Sequence, residues 1–355
     1  MINFDKIDKL ISLGYISKRK HPEYDIYILN YTPKTQYKFY WTEETIICRG
    51  LIVDKYDNIL AQPFPKFFTL SQYETLNNLG IFSELFHVNF PDAFKHPVHI
   101  SNKIDGSLIV GFFYTYANKF ILSSRGSFVS DQAIEAEKIF IQRYYKKIPL
   151  IADLTYLFEV VYPENRIVVD YKNLRDIILL EVLDKKQKVL PILDFLEDGW
   201  TVVEEPRFAS LYTDINVLKN TIPNNSEGYV VRYDNGMRLK VKSDEYLRLT
   251  KLISLFDNDK YILKCLADNN GLIDDLLSKI PDEFYKDIHN KVSVYKQKFN
   301  DILIEVTDVY SKCSHLTRKE IAMLYSGYKY RDMLFKQIDR QDLTQYIWES
   351  IIKEL

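Results

Sequence analysis

Lys103-Ile104-Asp105-Gly106-Ser107 places a lysine directly before a tight turn, between two segments with strand-like patterns. Four charged residues follow in order along the chain: Glu159, Glu227, Lys240 and Lys242. An ordinary exposed lysine at a strand end explains the first motif equally well when that motif is taken alone. The lysine motif followed by these four charged residues in this order should occur by chance in well under roughly one chain in a thousand.

The residue types suit an attack by lysine on a phosphate. An ammonium group cannot attack phosphorus, so Lys103 needs cationic neighbours or burial to lower its pKa. Lys240 and Lys242 share one face of a predicted strand and, with bound Mg²⁺, would supply that neighbourhood. A solvated strand face is the alternative for the lysine pair. The sequence therefore predicts a nucleotide site centred on Lys103.

The two glutamates are the candidate metal ligands of this site. Glu159 lies in the apolar run Leu157–Tyr162, where a carboxylate is costly unless it is paired or binds a metal or ligand. An outward-facing position on an edge strand is its alternative. Glu227 precedes the predicted strand that begins at Gly228, where it can reach a metal held near phosphates.

Composition and charge exclude several classes of protein. The net charge of −2 gives no general attraction to nucleic acid, so any RNA must bind in a local basic groove. No apolar run approaches the roughly 18 residues that a membrane helix needs. The three cysteines are far apart and favour a reduced, cytoplasmic setting, which would be the host cytoplasm for a viral protein.

Seven stretches of the chain together carry a resemblance to known enzymes: Arg49–Ile52, Pro65–Phe68, Lys103–Leu108, Ser124–Ser127, Phe158–Val168, Glu227–Val231 and Lys240–Ser243. With these stretches the chain resembles the covalent nucleotidyltransferase superfamily of ATP-dependent ligases and mRNA capping enzymes, and within it the RNA ligases related to bacteriophage T4 RNA ligase 1. The run that contains Asn165-Arg166-Ile167 is more typical of that group than the lysine motif itself. Arg125 stands where the family is expected to have a lysine.

The resemblance implies a role for each matching residue. Lys103 would carry AMP, and Lys240 and Lys242 would act on the α-phosphate of ATP. Glu159 and Glu227 would support the nucleotide and bind Mg²⁺, or Mn²⁺ in its place. The remaining nucleotide contacts implied are Arg49 and Lys66 at the triphosphate or ribose-phosphate edge, Asp105, Gly106 and Arg125 beside the nucleotide, and Phe68 or Phe158 at the adenine.

The fold implied is α+β. Residues 1–247 would form a nucleotidyltransferase domain, mainly of antiparallel sheets with flanking helices. Residues 248–355 would form an all-helical domain in place of the OB-fold of DNA ligases. Only one proline, Pro281, occurs in residues 251–355, and apolar residues such as Ile302, Val306 and Tyr310 recur at helical spacing.

The helical part contains a basic segment with interleaved tyrosines. Such a segment suits a structured RNA, whereas a solvated helix face with core tyrosines is the alternative. The tyrosines are Tyr325, Tyr328 and Tyr330. The candidate RNA-binding residues are Lys312, Arg318, Lys319, Lys329 and Arg331.

The resulting hypothesis is an ATP-dependent RNA ligase that joins 5′-phosphate and 3′-OH ends. Its substrate would be tRNA broken in the anticodon loop, with a kinase or phosphatase that heals the ends as a partner. A DNA ligase or a GTP-dependent capping enzyme is the alternative among enzymes. A non-catalytic RNA-end-binding protein is the alternative of another class, and the intact Lys103, Glu227, Lys240 and Lys242 count against it.

Overall fold

Three four-stranded sheets organise residues 1–246 in the described part of the computed structural model. The structure describes residues 2–90, 92–147, 149–206, 214–256, 258–268, 273 and 282–355. The strands in chain order are β1 (Ile16–Lys20), β2 (Ile26–Tyr31), β3 (Arg49–Asp54), β4 (Ile59–Ala61), β5 (Phe68–Thr69), β6 (Pro97–Lys103), β7 (Ser107–Tyr114), β8 (Lys119–Ser124), β9 (Thr155–Val161), β10 (Asp176–Leu183), β11 (Gly228–Tyr233) and β12 (Arg238–Lys242).

The pairing of the strands is almost entirely antiparallel. The first sheet has the order β1-β2-β3-β4, the second β10-β9-β7-β8, and the third β5-β12-β11-β6. The exception is the parallel pair of β12 with the short strand β5. The hairpin predicted from Asp234-Asn235-Gly236 is confirmed, because β11 and β12 pair on either side of that turn.

Helices cover the sheets of the first unit. Helix α6 shows why they form: the Ser130 side chain caps its first turn by accepting from the Ala133 N–H, and its buried face includes Ile139 and Phe140. These helices are α1 (Phe4–Ser12), α2 (Pro33–Tyr37), α3 (Glu43–Ile47), α4 (Leu70–Asn78), α5 (Phe82–Phe86), α6 (Asp131–Arg143), α7 (Ile192–Glu197) and α8 (Ile215–Asn220). A further helix, α9 (Asp244–Phe256), begins in the first unit and continues beyond residue 246.

Residues 247–355 form a second unit, which is helical in its described part. Its apolar core includes Val306 and Ile347, and Trp348 stacks on Phe299 with ring centroids 4.6 Å apart. Within the described residues, no helix is long and apolar enough to span a membrane. The remaining helices are α10 (Asp259–Ala267), α11 (Asp282–Cys313), α12 (Arg318–Leu324), α13 (Arg331–Ile338) and α14 (Thr344–Lys353). The fold is therefore α+β with mainly antiparallel sheets, followed by helices.

Candidate active site

The Lys103 turn connects the third sheet to the second. Strand β6 ends at Lys103, and β7 begins at Ser107. Gly106 is required between them, since a Cβ on it would lie 2.5 Å from the Val160 carbonyl oxygen and 3.1 Å from Glu159 Cγ. The turn therefore presses against β9, and Lys103 and Glu159 line one cavity.

Asp105 anchors this turn through a buried carboxylate. Its Oδ2 accepts hydrogen bonds from the backbone N–H groups of Val168 and Val169, each at 2.9 Å. Its Oδ1 accepts from the Tyr246 hydroxyl at 2.7 Å. Both oxygens are thus engaged by protein donors. This geometry gives Asp105 an anchoring part in the turn, and Gly106 lines the cavity. The nucleotide contact expected of Asp105 stays a prediction.

Glu227 is held between two lysines. Its Oε2 accepts from Lys103 Nζ at 2.7 Å, and its Oε1 lies 2.9 Å from Lys242 Nζ. The sheet explains this arrangement, since Gly228, the first residue of β11, pairs with Lys103 on one side and Lys242 on the other. Gly228 has a φ of +143°, and a Cβ there would lie 2.0 Å from the Val241 carbonyl oxygen, so only glycine fits.

The carboxylates of Glu227 and Glu159 stabilise the ammonium form of Lys103. Burial lowers the pKa of Lys103, but the charges of Glu227 and Glu159 raise it by more, so the net pKa lies above its ordinary value. We expected neighbouring lysines to lower this pKa. The structure differs because Glu227 also neutralises Lys242. Lys103 can become a nucleophile only when the charges of these carboxylates are balanced by other groups.

Glu159 and Lys240 have pKa values shifted in opposite directions. Burial raises the pKa of Glu159 to about 7, although Lys103 acts to lower it. Burial also lowers the pKa of Lys240 well below its ordinary value, and the other cations of the cavity add to this effect. The Nζ atom of Lys240 lies 4.7 Å from the centroid of the Phe67 ring. A phosphate group in the cavity would favour the charged form of Lys240.

Arg49, at the start of β3, brings a buried cation from the first sheet. Its guanidinium carbon lies 5.0 Å from the ring centroid of Phe64 and 5.6 Å from that of Phe67. Burial lowers the pKa of Arg49 to about 10. Its Nη1 atom is buried and has no hydrogen-bond partner among the described residues. A buried donor without a partner is costly, so this atom suits an anionic ligand.

Lys66 and Arg125 share one acceptor that sequence reasoning missed. The hydroxyl of Tyr31 accepts from Lys66 Nζ at 3.2 Å and from Arg125 Nη1 at 2.8 Å. Tyr31 carries no local signal of this role, because a tyrosine in an apolar strand is ordinary. The cation cluster, defined as Arg49, Lys66, Arg125 and Lys240, thus collects residues from all three sheets or their ends.

The cavity has a volume of about 540 Å³. Phe64 and Phe67 line it, whereas Phe68 and Phe158, which we expected at the adenine, are fully buried in separate parts of the core. Strand alternation explains Phe158: Glu159 faces the cavity, so its neighbour faces the opposite side, where it packs on Trp200. The aromatic wall of the cavity therefore comes from Phe64 and Phe67.

The donor set of the cavity fits a magnesium ion that binds together with a nucleotide. Mg²⁺ usually takes one or two carboxylates and completes its shell with substrate phosphates and waters. Glu159 lines the cavity, and Glu227 contacts Lys103 beside it, so these two would supply the carboxylates. The described residues contain no group of three or more His, Cys, Asp or Glu side chains placed to hold a metal ion.

The basic residues expected to bind RNA are exposed on the second unit, but two of them are paired. Arg318 forms an ion pair with Asp339, and Lys329 lies 2.8 Å from Glu354. The exposed residues of the set are Lys312, Arg318, Lys319, Lys329 and Arg331.

The tyrosines of this segment pack inside the second unit. Tyr330 is buried, and Tyr325 and Tyr328 pack against the apolar clusters. The structure therefore supports the alternative in which these tyrosines are part of the hydrophobic core. Any RNA contact here depends on the exposed charges.

Comparisons with known proteins identify the family of the chain. The model of the T4 RNA ligase 1 family, described as RNA ligase, matches residues 47–246. An RNA ligase of Rhodothermus phage RM378 is 24% identical in a match that covers 83% of this chain and 81% of that protein.

Two solved structures resemble the chain more distantly. A putative ATP-dependent DNA ligase from Aquifex aeolicus gives a TM-score of 0.44 at 15% identity, covering 87% of this chain and 80% of that one. An archaeal ATP-dependent RNA ligase gives 0.44 at 11% identity, covering 82% and 76%. The family model spans more than half of this chain, which therefore belongs to the T4 RNA ligase 1 family of ATP-dependent RNA ligases.

Proposed function

We propose that the chain seals RNA through a lysyl-AMP intermediate on Lys103, and that its natural substrate is tRNA broken in the anticodon loop. One observation carries the first part of the proposal. Lys103, Glu159 and Lys240 line one cavity together with Arg49, whose Nη1 is a buried donor without a partner among the described residues. A nucleophile, a carboxylate and cations suited to phosphate therefore share one site.

The first step follows from these positions. Lys103 Nζ, once it has lost its proton, attacks the α-phosphorus of ATP; a P–N bond forms and the bond to pyrophosphate breaks. Lys240, Lys242 and the other cations balance the charge on the phosphate oxygens. Bound Mg²⁺ would add charge neutralisation, with Glu159 and Glu227 as its protein ligands. The hydrogen bond from Lys103 to Glu227 keeps the nitrogen at a fixed place in the cavity.

Two further transfers complete the reaction. An oxygen of the RNA 5′-phosphate attacks the phosphorus of lysyl-AMP, the P–N bond breaks, and a 5′–5′ pyrophosphate linkage forms. The RNA 3′-hydroxyl then attacks the activated 5′-phosphate and releases AMP, which leaves a phosphodiester bond. The same cavity serves all steps, because each step displaces a group at a phosphate.

The test is the covalent intermediate. The chain is incubated with Mg²⁺ and α-labelled ATP or GTP, and acid-labile label on the protein is measured for wild type, Lys103→Ala and Lys103→Arg. We expect labelling by ATP that both variants abolish. The exposed Lys119→Ala serves as a matched control and should label normally. Labelling by GTP alone would overturn the ligase proposal in favour of a capping-type enzyme, and no labelling would favour an RNA-end-binding protein.

The nature of the strands is tested next. Strands of RNA or DNA with 5′-phosphate and 3′-hydroxyl ends are offered to the adenylylated protein, and the sealed products are separated on gels. Preferential sealing of RNA is expected. Sealing of DNA alone would contradict the proposal.

The tRNA part of the proposal rests on the second unit. Lys312, Lys319 and Arg331 are exposed there, so they can meet a phosphate backbone. Ends without a 5′-phosphate or a free 3′-hydroxyl would need a kinase or phosphatase partner before sealing. A tRNA broken in its anticodon loop should be sealed faster than an unstructured strand with the same ends. Equal rates would refute this substrate.

A further inference from the structure

The cavity face of the third sheet changes in character along its strands. Strand β11 begins with Gly228, which pairs with Lys103, so this end of the face lies beside the lysine. Two residues further along β11, Val230 lines the cavity, and after two more Arg232 pairs with Arg238 of β12. Residues two apart in a strand share one face, and four residues span roughly 13 Å. The face therefore leaves room for a ribose and a base between Lys103 and the arginines.

Glu181 meets these arginines from the second sheet. It belongs to β10 and lines the cavity together with Leu180 and Arg238. One carboxylate oxygen of Glu181 accepts from Arg238 Nη2, and the other lies 3.5 Å from Arg232 Nε. The side chains of Glu181 and Arg238 are only 13% and 9% exposed. A buried ion pair therefore joins the two walls of the cavity at the end away from Lys103.

Stability alone does not explain this ion pair. Taking two charges out of water costs about as much as their attraction returns, so a buried ion pair rarely stabilises a fold on balance. A carboxylate offers about four acceptor positions, and Arg232 and Arg238 approach one oxygen each. Glu181 therefore keeps the capacity to accept from a group that enters the cavity between Leu180 and Val230.

The two purine bases differ in the group that such an acceptor would meet. Adenine carries an amino group at its 6-position, which donates, whereas guanine carries an oxygen there, which accepts. A carboxylate attracts the amino group and repels the oxygen. Arginine side chains only donate, so without a carboxylate they would favour the oxygen. The preference at this end of the cavity therefore depends on how Glu181 offsets Arg232 and Arg238.

We infer that Glu181 selects adenine over guanine, because its carboxylate accepts from the 6-amino group while Arg232 and Arg238 hold that carboxylate in place. The inference rests on the proposed function, since it places the phosphates of the nucleotide beside Lys103. Base selection then depends on side chains of β10, β11 and β12, at the opposite end of the cavity from the nucleophile.

The test compares ATP, GTP and purine riboside triphosphate, which has only hydrogen at the 6-position, in the formation of the lysyl-nucleotide. Wild type should use ATP with a higher kcat/KM than either analogue, and a preference for GTP would overturn the inference. In Glu181→Gln the arginines hold the amide oxygen, so the amide nitrogen faces the base. The ratio of ATP to GTP use should fall at least about 10-fold, as for the loss of one hydrogen bond to a charged group.

Glu135→Gln is the matched control for this substitution. The Glu135 side chain is 15% exposed and forms an ion pair with Arg175, and neither is among the described residues that line the cavity. The control removes a similarly buried charge, so it should affect the stability of the fold in the same way. Its ratio of ATP to GTP use should equal that of wild type. An equal fall of the ratio in both variants would overturn the role of Glu181.

A second variant keeps the inference testable if Glu181→Gln folds poorly. Glu181→Leu with Arg238→Leu removes both charges, and such a replacement of a buried ion pair is often neutral for stability. Arg232, whose side chain is 25% exposed, can then turn to solvent. The double variant should use ATP and purine riboside triphosphate equally well. A preserved preference for ATP over this analogue would overturn the inference.

Calorimetric binding of ATP and GTP separates this inference from the proposed function. The difference in affinity between the two nucleotides should shrink in Glu181→Gln, whether or not wild type forms an adduct on Lys103. If no adduct forms while the difference shrinks, the ligase chemistry fails and the base-selecting role stands. If both affinities change by the same factor, the role of Glu181 is overturned even where the adduct forms normally.

Discussion

The buried carboxylate of Asp105 gives a prediction about the Lys103 turn. Its two oxygens accept three hydrogen bonds, from the N–H groups of Val168 and Val169 and from the hydroxyl of Tyr246. Asp105→Ala removes all three acceptor contacts at a residue that is 3% exposed. Asp105→Asn can keep them, because its amide oxygen can accept from both N–H groups and its amide nitrogen can donate to the tyrosine oxygen.

The two substitutions should differ in size. Each buried donor left without a partner costs about 1–3 kcal/mol, so Asp105→Ala should lower the free energy of unfolding of the first unit by about 4 kcal/mol. Asp105→Asn keeps the hydrogen bonds but loses the negative charge that strengthens them, so it should lower the free energy of unfolding by about 1 kcal/mol. A folded protein typically has a free energy of unfolding of about 5–15 kcal/mol, so only the alanine variant should lose a large part of the stability of the first unit.

Two assays check these values. Urea unfolding is followed by the fluorescence of Trp41 and Trp200 in a Trp348→Phe background, so that the signal reports on residues 1–246. Hydrogen exchange of the Val168 and Val169 amides is measured in parallel, and it should accelerate in the alanine variant alone. Equal unfolding energies for the two variants, or unchanged exchange in Asp105→Ala, would refute the anchoring role.

Three other predictions concern charges. Because the pKa of Glu159 is raised to about 7, this carboxyl gains a proton as the pH falls below 7; the single-turnover rate of lysyl-AMP formation should fall with it, and Glu159→Gln should lack this inflection. Lys240→Met should raise the melting temperature, since it removes a buried cation among like charges, yet it should slow adenylylation strongly; a lower melting temperature contradicts this. The double substitution Lys312→Ala and Lys319→Ala should lower the affinity for tRNA in filter binding and make that affinity depend less on salt concentration. Asp339→Ala, which frees Arg318 from its ion pair, should not lower the affinity.

The order of motifs along the chain was enough to predict which charged residues meet. Glu227 and Lys242 are 15 positions apart, yet the Asp234-Asn235-Gly236 turn sets a register that pairs Gly228 with Lys242. A hairpin register follows from local turn chemistry, which a sequence displays. The contact of Glu227 with Lys242 could therefore be expected from the sequence, whereas Lys103 joins them through the long-range pairing of β11 with β6.

Residues whose place depends on long-range packing could not be predicted in this way. Phe67 and Phe68 are neighbours in one motif, and only the path of the loop before β5 decides which ring lines the cavity. Tyr31 accepts from both Lys66 and Arg125 only because the ends of three sheets converge on its hydroxyl. The protonation of Lys103 depends on the balance between burial and two carboxylates, which requires distances that a sequence does not contain.

The cation cluster also affects how the isolated protein behaves in solution. Lys240, Arg49 and their neighbours disfavour the folded state when no anion is bound, so an anion that binds only the folded chain raises its apparent stability by mass action. An anion present at 100 times its dissociation constant adds about 2.7 kcal/mol. Melting temperatures measured in phosphate and in chloride buffers should therefore differ for the same preparation, and storage in a polyphosphate-containing buffer should slow its loss of activity.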